Sequence, residues 1–85
     1  MGYIMLKWNK YIDFSILRTY DFKLDPTRKY YYKKLSESSE LSIYVLDDDV
    51  FKMYDVIIDC TMGTLIYDLD IIYQLIKKGY LIKVC

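Results

Sequence analysis

The stretch "DVIIDCTMGT", residues 55–64, decides how the chain is read. Asp55 opens a run of β-branched residues, Val56, Ile57 and Ile58, which Asp59 and Cys60 close. Thr61, Gly63 and Thr64 then make a small polar turn. A short apolar run bounded by turn formers predicts a buried strand.

The period changes after Gly63. Leu65, Leu69, Ile72 and Ile76 recur at i, i+4, i+7 and i+11, with Ile66 and Tyr73 beside them. This stripe predicts a helix over about 64–78. Thr61 or Thr64 is a candidate N-cap. Asp68 and Asp70 lie in the first turns, where the helix dipole favours anions, and Lys77 and Lys78 lie in the last. Gly79 fits the left-handed stop position. "YLIKVC", 80–85, then reads as a strand. Strand, helix and strand fill 31 residues, the size of a βαβ unit. Strands 55–60 and 80–85 are expected as parallel neighbours joined by a right-handed crossover. Paired in register, they place Cys60 and Cys85 side by side, about 5 Å apart at Cα, within reach of a disulfide.

The unit resembles, in pattern, a late βαβ unit of nucleotide-binding dehydrogenase folds. The resemblance rests on "DVIIDC", the glycine turn, the amphipathic helix and "KKGYLIKV". It implies backbone amides at 61–64 able to face an anion at the helix start. The stretch has one glycine, with neither G-x-G-x-x-G nor a Walker G-K-[ST]. Asp59, Asp68 and Asp70 oppose a phosphate there. A strand-to-helix joint is the plainer reading. Cys60 has no histidine to activate it, because the chain has none.

Upstream, period two dominates. In "TYDFKL", Tyr20, Phe22 and Leu24 face one way and Thr19, Asp21 and Lys23 the other. "YIDFSI" does the same with Ile12, Phe14 and Ile16, and the two runs are expected as strand, even as one bent strand. "KYYYKKL" and "LSIYVL" predict a hairpin across "SESSE", 36–40. "VFKMYDVIIDC" predicts a further extended run. A helix over part of 3–12 is the main alternative within this region. The expected class is α+β: one domain over 1–85, with a small mixed, mostly antiparallel sheet and one main helix in a C-terminal strand-helix-strand unit.

The 85 residues are 54% hydrophobic, with eleven tyrosines and no alanine. That is more bulk than a small domain readily hides, so an apolar patch buried in a homodimer or against a partner is expected. Net charge is zero. Residues 1–43 carry eight Lys/Arg and five Asp/Glu, and residues 44–85 carry four and seven. A neutral chain is a poor general nucleic-acid binder. No signal peptide or membrane span is legible, so a cytoplasmic protein is expected, in the host cytoplasm if it is viral. Two cysteines do not make a secreted disulfide scaffold. Abundant Ile, Lys, Tyr and Asp with scarce Ala, Pro and Arg suggest an A+T-rich genome, and a small, tyrosine-rich, alanine-free chain resembles viral and mobile-element products in composition.

Three stretches are candidate contact sites. Asp47, Asp48, Asp49, Asp55, Asp68 and Asp70 form an expected acidic face. Arg28, Lys29, Tyr30, Tyr31, Tyr32, Lys33 and Lys34 combine cations with aromatics, which suits stacked bases or a protein partner. A plain strand with alternating faces, Tyr31 one way and Tyr30 and Tyr32 the other, is the bland reading. "DDD" lacks the ligand number and glycine of a Ca²⁺ loop. No cofactor, metal site or catalytic residue is expected, and no acid–base pair has a recognisable spacing. The leading expectation is a small non-enzymatic module that binds a protein, inhibiting a host factor if the source is viral. The alternatives are a nucleic-acid or nucleotide binder using 28–34, and a structural homo-oligomer.

Overall fold

The computed structural model describes residues 6–37, 39–60 and 70–84. Its frame is the hairpin expected across "SESSE". Strand β3, Tyr30–Ser36, pairs antiparallel with β4, Ser39–Tyr44, with Tyr31 opposite Ile43 and Lys33 opposite Leu41. Short β2, Lys23–Leu24, flanks β3, and β5, Val56–Cys60, flanks β4, giving the order β2-β3-β4-β5. Strand β1, Leu6–Trp8, pairs with β6, Leu81–Lys83, in a second, two-stranded sheet. One antiparallel bridge, Lys7 to Asp55, joins β1 to the entry of β5. All strand pairs among the described residues are antiparallel. With the helix α1, Asp70–Lys77, the class is α+β, with strand, helix and strand in the expected C-terminal order.

The expected adjacency of β5 and β6 is corrected. Both run antiparallel to β1, so they point the same way, but β1 lies between them. Two inter-strand spacings, about 9–10 Å, therefore separate their axes. A βαβ pattern predicts direction; it cannot reveal that a distant tripeptide slots into the gap. Cys85 and the side chain of Cys60 lie outside the described residues, and so does their expected contact.

Alternation sorts the residues into layers. On β3 to β5, Tyr31, Leu35, Leu41 and Ile43 are buried, with Val56 and Ile58 packed beside them. Helix α1 adds Ile71, Ile72 and Leu75 to the same core. The expected stripe is partly right: Ile72 is buried and Ile76 packs on the core, but Tyr73 is exposed. Leu65, Ile66 and Leu69 lie outside the described residues, as does everything between β5 and α1. Gly79, at φ 80°, ends the helix as expected. Its N–H donates to the Ile76 carbonyl at 3.0 Å and the Tyr80 N–H to that of Leu75 at 2.9 Å, a Schellman closure.

The chain's single asparagine fastens this turn to β1. Asn9 Nδ2 donates to the Gly79 carbonyl at 3.0 Å, and its backbone N–H donates to that of Tyr80 at 2.8 Å. Its Oδ1 accepts from the Tyr11 N–H at 3.0 Å. Asn9→Ala removes both side-chain bonds and is expected to cost about 1 kcal/mol, read as a lower urea midpoint at unchanged slope.

"YIDFSI" is not a strand. Residues Phe14–Tyr20 form a 3₁₀ helix. The Asp13 carboxylate accepts from the Ser15 N–H at 2.9 Å and caps its start. Phe14, Leu17 and Tyr20 recur every three residues, the period of a 3₁₀ helix, and Leu17 is fully buried. Asp21 closes it at φ 67°, with the Phe22 N–H donating back to the Leu17 carbonyl. Asp21→Gly removes the left-handed cost of a side chain there and is expected to stabilise by about 0.5 kcal/mol, seen as a raised melting temperature. In "TYDFKL" the inward and outward sides are as expected, although only Lys23 and Leu24 are strand.

"VFKMYDVIIDC" is extended only from Val56. Tyr54 and Asp55 together oppose Tyr44: the Tyr54 N–H donates to the Tyr44 carbonyl, and the Tyr44 N–H to that of Asp55. This is a bulge with its first residue left-handed, φ 77°, where glycine is usual. The cost, of order 1–2 kcal/mol, is offset by two contacts. The Tyr54 ring stacks on Phe14 at 5.6 Å, and its carbonyl accepts from the Trp8 N–H at 2.9 Å.

Candidate functional site

The loop between β4 and β5 gathers most of the expected acidic set. Asp48 Oδ1 accepts from the N–H groups of Val50 at 2.7 Å and Phe51 at 2.6 Å, and the Asp48 N–H donates to the Phe51 carbonyl at 2.8 Å. Asp47 Oδ1 accepts from the Met53 N–H at 2.7 Å. Asp55 accepts from the Lys52 N–H at 2.9 Å and from Lys7 Nζ at 2.8 Å. The loop is thus tied by its own carboxylates at several points.

These bonds set the acidities. The Phe51 and Val50 amides hold the Asp48 carboxyl below the usual range. At Asp55 partial burial pushes upward, but the Lys7 ammonium and the Lys52 amide outweigh it and the carboxyl is lowered. Burial, reinforced by the Asp48 carboxylate, raises the Tyr44 phenol. These shifts move each group further from neutrality, so none of them exchanges a proton near pH 7.

A loop so pinned would ordinarily carry a polar tip. Here Leu46 is 51% and Val50 75% exposed. Two apolar side chains are held outward among Asp47, Asp48 and Asp49. The remaining acidic candidates stand elsewhere. Asp70 opens α1, and Asp68 lies outside the described residues.

The structure divides the 28–34 stretch. Tyr31 is buried in the core, whereas Tyr30 and Tyr32 face outward, as alternation predicts. Lys33 falls on the inner-face register and Lys34 on the outer. Arg28 and Lys29 lie in the turn before β3, with Arg28 at φ 61°. Asp25, lowered chiefly by the Thr27 hydroxyl, anchors that turn, and Lys29 adds to the lowering of both Asp25 and Asp48. With the Lys7–Asp55 ion pair, this mixes the positive and negative halves of the sequence.

Sequence reasoning missed Leu46 and Val50. Their signal was present: large apolar residues on either side of three aspartates, with no strand period to bury them. It also missed that Tyr44 and Phe51 extend the outward tyrosines into a row. Ring centroids lie 5.2 Å apart for Tyr30–Tyr44 and 4.8 Å for Tyr44–Phe51. No helix among the described residues is long and apolar enough to cross a membrane. No family model, curated protein or solved structure matches the chain, so its reading rests on this geometry.

Proposed function

We propose that the chain is a small non-enzymatic protein-interaction module that contacts its partner through the loop 45–51. The observation that carries this is Leu46 and Val50, exposed on a loop whose conformation is fixed by Asp47 and Asp48. Apolar anchors on a pre-ordered loop lose little entropy on docking. The surrounding aspartates select a partner with an apolar pocket rimmed by cations. A module of this kind acts by occupancy, as an inhibitor of a host factor in the cytoplasm would. The nucleic-acid reading of 28–34 is weaker, because Tyr31 is buried and Tyr30 packs on Tyr44.

The test compares the parent with the Leu46→Asp/Val50→Asp double variant as bait in quantitative capture from cell lysate. Both positions are exposed, so stability should stay within about 0.5 kcal/mol. A protein retained by the parent should bind the variant at least about tenfold more weakly. Equal capture by parent and variant would overturn the loop as the contact. Retention on heparin that falls steeply with salt would favour nucleic acid instead.

A further inference from the structure

The loop meets the outer face of the sheet at one point, where the Phe51 ring packs on Tyr44 at 4.8 Å, and the rest of that face extends beyond it. Both helices contribute to the single core on the inner face. On the outer face the register sets Tyr30, Tyr44, Asp55, Lys7 and Ile82 in one row across β3, β4, the entry of β5, β1 and β6. In the next row, Tyr32, Ser42 and Ile57 stand side by side. None of the five apolar side chains among these belongs to the core or packs on it. An antiparallel sheet with one solvated face normally alternates apolar inward with polar outward. Here Tyr30, Tyr32 and Tyr44 on β3 and β4, with Ile57 on β5 and Ile82 on β6, stand on the outer face among Lys34, Glu40 and Ser42.

We infer that this outer face is the contact surface between two copies of the chain, packed sheet against sheet about a two-fold axis. Charge identifies the occupant. The one ion pair within the row, Lys7–Asp55 at 2.8 Å, neutralises itself, and Lys34 and Glu40 oppose each other at the end of the β3–β4 pair. Lys23, opposite Tyr32, and Asp59, opposite Glu40, add one charge of each sign to the same rows, so the face carries no net charge to draw nucleic acid or a highly charged protein. It suits a neutral, aromatic counter-surface. A second copy supplies that surface, and the chain's zero net charge puts no repulsion between copies. Such isologous contacts place tyrosine at the centre and charge at the rim. Face-to-face sheets pack about 10 Å apart, a spacing outward Tyr and Ile side chains fill.

The experiment is sedimentation equilibrium of the purified chain over about a hundredfold range of concentration, together with its melting temperature, which a dimer makes concentration-dependent. The parent should sediment at twice its 10.3 kDa mass. Ile57→Lys and Ile82→Glu should each halve that mass with the far-ultraviolet dichroism retained. Ile82 is 44% exposed, so its variant tests the contact even where Ile57→Lys unfolds the chain. A parent that is monomeric throughout overturns the inference, and so does a folded Ile82→Glu variant that stays dimeric. The Leu46→Asp/Val50→Asp variant should keep the dimer mass, so failure of the loop reading and failure of this one are read separately.

Discussion

Trp8→Ala should remove roughly 3–5 kcal/mol of stability, the usual cost of truncating a large buried aromatic. Trp8 is only 2% exposed. Its indole stacks on Phe14 at 5.7 Å and meets Tyr80 at 5.8 Å. Its Nε1 donates to the Ile12 carbonyl at 2.8 Å. One side chain thus ties β1 to the 3₁₀ helix, to the loop before it and to the turn that ends α1. A domain of this length has of order 4–13 kcal/mol in total, so the variant loses a large share of it and unfolds near body temperature if the parent lies at the low end. Trp8→Phe keeps a ring and loses the Nε1 bond, and should cost about 1–2 kcal/mol. Urea unfolding followed by circular dichroism gives both values. A loss below about 1 kcal/mol for Trp8→Ala would mean that the β1–β6 pair frays independently of the four-stranded sheet.

The role of Trp8 was not legible in the sequence, and the reason is physical. Local pattern reports on local period. Tyr30 to Leu35 is rich in aromatics, Leu41 to Tyr44 is β-prone, and the two flank a serine-rich turn, so the hairpin was readable, and period two put Tyr31 on the face opposite Tyr30 and Tyr32. Gly79 marked the helix end because a left-handed residue is needed there. "LKW" is three residues long, and nothing in its own period says that it separates β5 from β6. That placement depends on contacts about 50–75 residues away in the chain, Lys7 with Asp55 and with Ile82. The 3₁₀ helix was hidden for another reason. Ile12, Phe14 and Ile16 satisfy period two while Phe14, Leu17 and Tyr20 satisfy period three, and the Asp13 cap decides between them.

The candidate site shows the same division. That the 47–49 run is a turn was readable from composition. That its carboxylates fasten the loop was not, since an aspartate in a turn and an aspartate on a binding face look alike in sequence. The inversion of the outer face was hidden because tyrosine suits water and core equally. Alternation put Tyr30 and Tyr32 on one side, and the register adds Tyr44 to it, opposite Tyr30. Composition had raised the expectation of such a surface, because an 85-residue chain this rich in large apolar residues has little interior to hide them in.

Asp55→Ala should cost about 2 kcal/mol at pH 7, the scale of charge-assisted hydrogen bonds at a partly exposed site. Asp55 receives Lys7 Nζ and the Lys52 N–H at the point where β1 meets β5, so its loss loosens the join between the two sheets. The pH dependence tests the mechanism. The folded carboxyl titrates below its unfolded value, so the unfolded state binds a proton first as pH falls. The contribution is complete above the ordinary aspartate pKa near 3.9 and fades as pH drops through the lower folded value. Asp25 and Asp48 are lowered too and steepen the same acid limb. Tyr30 and Tyr44 act at the opposite end: burial raises both phenols, so their contribution is whole below about pH 10 and is lost as pH rises through the folded values. Chemical denaturation across pH should therefore show a plateau from about pH 5 to pH 9 with a fall on each side. On the acid limb the parent and Asp55→Ala curves should converge. If their separation at pH 3 equals that at pH 7, Asp55 acts through packing and not through its charge.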